Sequence, residues 1–345
     1  MNKRLDYIDI LKGFAILCIT FLHFEAGVLP SWLNVWIGTF MISAFYFASG
    51  WMWGLKDGTI TVKELVQKRW RSLGVPYLWF TGLILVFDVI LWGCGYYDGY
   101  FVAREVYKTI TLRGIGTLWF LPSLFFGEVI FMWLRNTKRS LILSKGWLLI
   151  GVAALFTFLY LSFYFRWAGE YRNLSSLNQI IDAPLYTIRN MMIAWPVVGA
   201  GFVVARDFKR YIANWSGWLI GLLGVAVCGV SLYFASFSHL NLGVISYFLP
   251  FILGPLGWML IAKMLEGGRV MQFFAYWGRN SLVLMATHYS IVQVLCEIVD
   301  RYCLGCDEFV GWRTIAYFVV TVVLTYPLVW FFNNKARFML GKKKL

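Results

Sequence analysis

Charged residues are scarce in this sequence. Asp, Glu, Lys and Arg make up only 14% of its 345 residues, whereas hydrophobic residues make up 60%. A soluble domain of this length cannot bury so much apolar surface. The composition therefore excludes a soluble protein and makes lipid the main solvent of the chain.

Acidic residues are the rarer sign of charge, with 17 Asp and Glu against 31 Lys and Arg and a formal net charge of +14. In a soluble protein this excess would suggest nucleic-acid binding, but no basic patch with interleaved aromatic residues occurs outside the apolar segments. We therefore expect no nucleic-acid partner. In a membrane protein, cationic loops fix the orientation and face anionic lipid, so the lipid bilayer is the expected partner.

Signals for processing, metal binding and modular organisation are also missing. The first apolar segment has no small-residue cleavage site before Pro30, so it is expected to remain as a first membrane span. Cys303 and Cys306 lack the second ligand pair of a zinc site, so no metal is predicted, and their thiols are either free or joined in a local disulfide. Without a repeat of about 20–50 residues or a low-complexity linker, residues 1–345 are predicted to form a single membrane-embedded domain.

Hydropathy and turn residues divide the chain into ten predicted membrane-spanning helices, so the predicted fold class is an all-α polytopic membrane protein. Most of these segments reach the roughly 20 apolar residues that a spanning helix needs. Their predicted bounds are 7–29, 33–54, 73–95, 118–134, 143–165, 184–205, 215–237, 243–264, 281–299 and 312–332.

Lys and Arg are distributed unevenly between the connections. Of the 31, 23 lie in or near the two termini and the second, fourth, sixth and eighth connections, and 8 lie elsewhere. The positive-inside rule then predicts both termini in the cytoplasm and a multi-pass protein of the cytoplasmic (inner) membrane. The outer loops 96–117 and 166–183 are longer and contain aromatic and polar residues. They either hold a polar acceptor or merely cap the bundle.

The first span carries ionisable residues along one face. Lys12 and His23 are 11 residues apart, which is about three helical turns and about 16 Å along the axis, so they share a helix face. Ionisable groups at membrane depth are costly and are therefore functional candidates. A histidine satisfied within the bundle is the alternative interpretation, but the aligned Lys12 and the neighbouring Glu25 favour chemistry.

The strongest basic cluster precedes the third span. Lys68, Arg69 and Arg71 lie in a predicted cytoplasmic connection that leads into Pro76 and Tyr77. Guanidinium groups bind phosphate through paired hydrogen bonds, so the cluster is a candidate phosphate site. The alternative interpretation is that these charges only fix the topology.

Two further spans carry polar candidates. Trp119 opens the fourth span in a Trp-Phe-Leu-Pro sequence that is typical of an interfacial anchor. Glu128, about two turns further in, is a predicted buried carboxylate that needs a partner, for which Arg189 and His288 are the candidates. His288 is predicted to lie about 12 Å into the ninth span, near the depth of His23.

The order and spacing of five motifs resemble the acyltransferase-3 family of integral membrane acyltransferases, which includes bacterial O-acetyltransferases acting on cell-surface sugars. Each motif is weak alone, but together they cover nearly the whole chain. Two positions depart from the family pattern, because Lys12 stands where an Arg is usual and Lys68-x-x-Arg71 replaces an Arg-x-x-Arg motif. Lys keeps the charge but lacks the planar fork of Arg. The motifs are Asp9-Ile10-Leu11-Lys12-Gly13 followed by His23, Phe47-Ala48-Ser49-Gly50, the basic run before Pro76-Tyr77, Trp119-Phe120-Leu121-Pro122, and Gly278-Arg279-Asn280-Ser281 followed by His288.

The resemblance implies an acyl-CoA-dependent membrane O-acyltransferase. Its donor is acyl-CoA, most often acetyl-CoA, used as a co-substrate with no permanently bound cofactor, and its acceptor is a hydroxyl of a saccharide or other envelope molecule. His23 is the implied general base, and an acyl-histidine intermediate is the alternative mechanism. The other implied site residues are Glu25 and Lys12 beside the base, Lys12, Lys68, Arg69, Arg71 and Tyr77 for acyl-CoA, and Ser49, Trp119, Glu128 and His288 for the tunnel or acceptor site, with His288 also a second base candidate.

Two other classes of function stay open at this point. A transporter or flippase of a polar lipid or saccharide also places ionisable residues within the membrane, although the sequence shows neither inverted repeats nor a matching pair of broken helices. A scaffold within a polysaccharide assembly complex is the other alternative. Acetyl-CoA-dependent acyl transfer by the purified protein separates the enzyme from both.

Overall fold

A computed structural model describes residues 5–24, 27–56, 60–137, 139–212, 214–237, 244–295 and 310–342. The regular elements in these ranges are all helices, without a strand. Eight helical segments are long and apolar enough to cross a membrane, which confirms the predicted all-α polytopic membrane fold. These segments are Ser31–Gly54, Val62–Gly93, Gly116–Thr137, Lys145–Glu170, Ser176–Tyr211, Gly217–Phe237, Tyr247–Met264 and Gly311–Asn334.

The first and ninth predicted spans correspond to shorter helices, so the described residues contain eight long apolar segments instead of ten. The first helix has 17 residues and ends at Leu22 instead of residue 29. The chain turns earlier because Gly27 has a φ of +86° and Pro30 caps the next helix. The helix in the ninth predicted span has 13 residues, and residues 296–309 lie outside the described part of the chain.

The described α-helices are numbered in chain order. They are α1 (Asp6–Leu22), α2 (Ser31–Phe40), α3 (Ser43–Gly54), α4 (Val62–Arg69), α5 (Val75–Gly93), α6 (Gly99–Ile110), α7 (Phe120–Thr137), α8 (Arg139–Glu170), α9 (Ser176–Tyr211), α10 (Gly217–Leu232), α11 (Val244–Met264), α12 (Arg269–Arg279), α13 (Ser281–Gln293) and α14 (Val310–Asn334). Two wider π turns, Trp70–Gly74 and Tyr233–Phe237, and two 3₁₀ turns, Gly116–Trp119 and Arg337–Leu340, complete the regular structure of the described residues.

The chain is organised as two compact units. The first, here called the histidine unit because it contains both candidate histidines, comprises Met1–Asp57 and Val197–Trp330. The second, here called the arginine unit, comprises Gly58–Pro196 and Phe331–Leu345. The single domain predicted over residues 1–345 stays a prediction.

Facing glycines bring α1 and α12 into backbone contact within the histidine unit. A Cβ atom on Gly13 would lie 1.7 Å from the carbonyl oxygen of Phe274, and a Cβ atom on Gly278 would lie 1.8 Å from that of Asp9. No side chain fits at either position, and small residues are what allow membrane helices to approach so closely. Glycines from the first and last sequence motifs therefore fix the helix that carries Lys12.

The same device joins α3 to the second half of α9. A Cβ atom on Gly50 would lie 1.8 Å from the carbonyl oxygen of Val198, and one on Gly201 would lie 2.2 Å from that of Phe47. The glycine of the Phe-Ala-Ser-Gly motif is thus a packing residue. Its role is to hold α3, the helix of Ser49, at a close helix crossing.

Two prolines interrupt the hydrogen bonding of α9 within the arginine unit, and side chains of other helices restore it. Proline has no N–H, so the carbonyl four residues earlier loses its usual donor. The carbonyl of Ile180, freed by Pro184, accepts from the hydroxyl of Tyr107 at 2.9 Å. That of Met192, freed by Pro196, accepts from Thr157 at 2.8 Å. These bonds pin α6 and α8 to α9 on either side of Arg189 in the sequence.

Candidate active site

His23 lies at the carboxyl end of α1, as the residue that caps the helix. It was predicted inside a span of residues 7–29, but the helix ends before it. Its Nδ1 atom lies 2.7 Å from the carbonyl oxygen of Ile19, one turn earlier. Because a carbonyl only accepts, Nδ1 carries the proton and Nε2 of the neutral ring keeps its lone pair. The side chain is exposed, so this lone pair is available to a general base reaction.

His288 on α13 repeats this arrangement in a buried setting. Its side chain is 0% exposed, and its Nδ1 atom lies 2.7 Å from the carbonyl oxygen of Leu284. Its Nε2 atom is buried and makes no hydrogen bond within the described part of the chain. The rings of His23 and His288, predicted to lie at similar depth, meet edge to face with centroids 4.9 Å apart, and the ring of Tyr289 is 5.7 Å from His23.

The chain directly after His23 is anchored to other helices of the histidine unit. The hydroxyl of Thr314 on α14 donates to the carbonyl oxygen of Phe24 at 2.8 Å. The ring of Phe24 packs in a buried cluster with Val292 and Tyr317. His23 is therefore held between the last turn of α1 and an anchored residue, which limits the movement of its imidazole.

Lys12 lies nearly two turns into α1 from its amino end, one turn after Asp9. Its Nζ atom lies 2.9 Å from Oδ1 of Asp9, in an ion pair of a half-exposed ammonium with a buried carboxylate. The backbone is helical from Lys12 to His23, so the predicted separation of about 16 Å along one face follows from helix geometry. The acidic side chain near the helix amino end also interacts favourably with the helix dipole.

The predicted roles of two other residues near His23, Glu25 and Ser49, stay predictions. Glu25 lies outside the described residues, so its role beside the imidazole stays a prediction. Ser49 is buried on α3, which packs on α1 through a hydrogen bond from the Trp51 indole to the hydroxyl of Tyr7 at 3.1 Å. Its assignment to the tunnel or acceptor site stays a prediction.

Arg69 and Glu128 form a two-point ion pair within the arginine unit. The Nε atom of Arg69 donates to Oε2 of Glu128, and Nη2 donates to Oε1 at 2.6 Å. The Glu128 side chain is only 1% exposed, so the paired geometry supplies the compensation that a buried carboxylate requires. The prediction that Arg189 or His288 is the partner of Glu128 is wrong, because packing joins α4 to α7 instead.

The rest of the basic cluster lies at the widened turn between α4 and α5. Lys68 and Arg71 are exposed, and Arg71 is part of the π turn Trp70–Gly74. The backbone of Gly341 approaches this turn so closely that a Cβ atom there would lie 1.6 Å from the carbonyl oxygen of Arg71. A π turn is often found at functional sites, and here two cations are presented on it or beside it.

Tyr77 and Trp119 have mainly structural contacts in the arginine unit. The hydroxyl of Tyr77, which is buried on α5, donates to the carbonyl oxygen of Thr109 on α6 at 2.9 Å. The ring of Trp119 meets the ring of Tyr186 edge to face, with centroids 6.5 Å apart. The tunnel and acyl-CoA roles assigned to these two residues stay predictions.

Sequence reasoning missed Tyr289 and the ion pair between Arg113 and Asp182. Nη1 of Arg113 donates to Oδ2 of Asp182 at 2.8 Å, which joins the two loops that were predicted to lie on the outer side. Opposite charges in loops assigned to the same side were the available signal. Cys303 and Cys306 lie outside the described residues.

Comparison with known proteins gives one family match. A family model described as an acyltransferase domain matches residues 5–333, nearly the whole chain and parts of both units. No curated protein and no solved structure shows significant similarity to the sequence. With a match of this extent, the chain belongs to the acyltransferase-3 family and is a multi-pass membrane acyltransferase.

Proposed function

We propose that this protein transfers an acyl group, most often acetyl, from cytoplasmic acyl-CoA to a hydroxyl of a saccharide or other cell-envelope acceptor at the inner membrane. His23 acts as the general base. The observation that carries the proposal is the position of Nδ1 of the exposed His23, 2.7 Å from the carbonyl oxygen of Ile19, which leaves Nε2 of the neutral ring as the basic nitrogen. The family assignment supplies the reaction class.

The proposed reaction is a single displacement at the thioester. The acceptor oxygen attacks the thioester carbonyl carbon while Nε2 of His23 takes the hydroxyl proton, so a new ester C–O bond forms. The C–S bond then breaks, and the proton passes from His23 to the departing thiolate to give free CoA. Proton transfer by a positioned base contributes typically about 10²–10⁴-fold to the rate.

Basic side chains predicted from the sequence are proposed to bind the phosphates of the donor. Lys12 lies about three helical turns from His23 on the same helix face, a spacing that suits a donor whose phosphates and thioester are separated by a long arm. Lys68 and Arg71 are exposed at the widened turn of the arginine unit. Arg69 is engaged with Glu128 in this structure, so its proposed phosphate contact competes with that ion pair.

The decisive experiment measures transfer directly. Purified protein in lipid nanodiscs is mixed with acetyl-CoA labelled on its acetyl group and with an envelope extract, and label in the saccharide fraction and free CoA thiol are both counted. The enzyme releases one thiol for each acetyl group transferred. A protein that moves a polar lipid or saccharide, or that only assembles a complex, gives neither signal, and that outcome would refute the proposal.

The variant His23→Gln sharpens the measurement, because an amide cannot take the proton. Tyr289→Phe is the matched control, since its ring contacts His23 and only a hydroxyl is removed. We expect loss of transfer in the first variant and retention in the second.

A further inference from the structure

The buried carboxylate of Asp182, within the arginine unit, joins the two loops that were predicted on the outer side of the membrane. The Asp182 side chain is 2% exposed and accepts a hydrogen bond on each oxygen. Nη1 of Arg113 donates to Oδ2 at 2.8 Å, and the hydroxyl of Tyr164 donates to Oδ1 at 2.9 Å. Both oxygens of Asp182 are therefore engaged, and Arg113 keeps further N–H groups that this single bond does not employ.

A second guanidinium shares an aromatic neighbour with Arg113. The central carbon of Arg113 lies 4.8 Å from the ring centroid of Tyr186, and that of Arg189 lies 5.2 Å from the same ring. Trp119 meets this ring edge to face at 6.5 Å. Two guanidinium groups and the ring of Trp119 thus lie around the ring of Tyr186, with Asp182 as the carboxylate paired to one of the cations.

Arg189 is partly buried and has no carboxylate partner among the described residues. It makes no ion pair with any residue that the structure describes, and its Nε atom is buried without a hydrogen bond. Its neighbours are aromatic, with the rings of Tyr164 and Phe165 at 5.7 and 5.1 Å in addition to Tyr186. Aromatic faces attract a cation but do not replace hydrogen-bond acceptors for a planar set of N–H donors.

Arg69, in the same unit, is an example of a guanidinium that is compensated by a carboxylate. Arg69 has one edge of its guanidinium, Nε and Nη2, engaged by both oxygens of the Glu128 carboxylate. Arg189 lies on a long apolar helix of the same unit, where an ionisable residue without a partner is a functional candidate.

We propose that Arg189 and Arg113, with Tyr186 and Trp119 as flanking rings, bind an anionic oxygen group, a phosphate or a carboxylate, carried by the saccharide acceptor or by a lipid headgroup. Guanidinium groups recognise both anions by paired hydrogen bonds. Aromatic rings beside them offer apolar faces to the attached ring or chain. For an acceptor anion, the assignment rests on the proposed function and limits the acceptor to acidic or phosphate-bearing saccharides.

Binding is measured on the full-length protein in nanodiscs of a zwitterionic phospholipid, by equilibrium dialysis of labelled methyl glucuronide, labelled methyl glucoside and labelled inorganic phosphate. In a separate arm, phosphatidylglycerol is added to the nanodiscs and thermal stability is followed. We expect saturable binding of glucuronide or phosphate, or stabilisation by phosphatidylglycerol, and no binding of the neutral glucoside. A response to glucuronide assigns the anion to the saccharide, and a response to phosphatidylglycerol alone assigns it to a lipid headgroup.

Arg189→Gln removes the charge, and we expect its affinity for the responding anion to fall by about tenfold or more. Arg189→Lys keeps the charge and guards against loss of folding, and an intermediate affinity is expected. Arg166→Gln is the matched control, because this arginine is 79% exposed in a surface ion pair with Glu170. Failure of every anion to bind, or equal binding by Arg189→Gln and the control, would overturn the proposal. No acyl-CoA is present, so that failure leaves the proposed transfer reaction untouched.

Discussion

The regions around His23 and Arg69 differ in how far their ionisable side chains are engaged by hydrogen bonds. Near His23, a backbone carbonyl holds Nδ1 of each of two histidines. Nε2 of His288 makes no hydrogen bond within the described residues, and His23 is an exposed residue. At Arg69, both carboxylate oxygens of Glu128 are engaged by one guanidinium. The first region keeps its capacity to move a proton, and the second uses its charges to join two helices.

This difference teaches how to weigh a charged residue in a membrane sequence. His23 was a candidate because an ionisable group at membrane depth is costly, and Arg69 was a candidate because guanidinium groups bind phosphate. Arg69 is 59 positions away from the carboxylate that compensates it, and only the packing of α4 on α7 brings them together. His23 is compensated locally, one helical turn away. A charged side chain that is paired with an opposite charge elsewhere in the fold has a structural explanation. A histidine with one basic nitrogen not engaged has no such explanation and remains a functional candidate.

The largest effect is expected at His23. His23→Ala removes the proposed base and should lower acyl transfer by about 10²–10⁴-fold, because proton transfer no longer assists attack on the thioester. Yield, insertion and binding of acyl-CoA should stay close to those of the unmodified protein, since the side chain is exposed at a helix end. Turnover and equilibrium binding of a non-hydrolysable acyl-CoA analogue are measured together. Near-normal turnover in well-folded protein would make His288 the next base candidate.

The second effect concerns stability instead of catalysis. Glu128→Ala leaves Arg69 without its carboxylate, and breaking a buried ion pair costs about 3–5 kcal/mol. The combined change of Arg69→Met with Glu128→Leu removes both charges and should recover much of that loss. Thermal unfolding in detergent compares the two. Equal loss in the single and the combined variant would mean that packing, and not the uncompensated charge, explains the effect.

The sequence predicts features that depend on local helix geometry, and it does not predict contacts that depend on tertiary packing. The helical spacing of Lys12 and His23 depends only on local geometry, and it holds in the structure. The end of α1 was missed because a turn at Gly27 interrupts a stretch that is apolar on both sides. The partner of Glu128 was missed because it is fixed by tertiary packing. The glycines at 13 and 278 were visible as motif residues, but their mutual contact was not.

A smaller effect is expected at Arg71, the exposed neighbour of Arg69. Arg71→Ala should raise the KM for acyl-CoA by about tenfold with little change in kcat, because a charged hydrogen bond contributes roughly 1.5 kcal/mol and the phosphates are remote from the reacting carbonyl. Lys63→Ala on α4 is the matched control, since that side chain is also exposed and basic. An unchanged KM in correctly inserted Arg71→Ala protein would remove Arg71 from the donor site.

The smallest effect is expected when Lys12 becomes Arg, and it tests whether the charge or the shape of this side chain is used. The ammonium of Lys12 lies 2.9 Å from the buried carboxylate of Asp9, and a guanidinium at this half-exposed position retains the charge and can bind carboxylate and phosphate together. Lys12→Arg should therefore keep both kcat and KM close to the original values. Lys12→Ala removes the charge, leaves Asp9 without this partner and should weaken acyl-CoA binding before it lowers kcat. The two variants are compared by steady-state kinetics over a range of acyl-CoA concentrations. If Lys12→Ala instead lowers kcat as strongly as His23→Ala does, Lys12 acts in the chemical step, and the division of one helix face into a binding end and a reacting end is wrong.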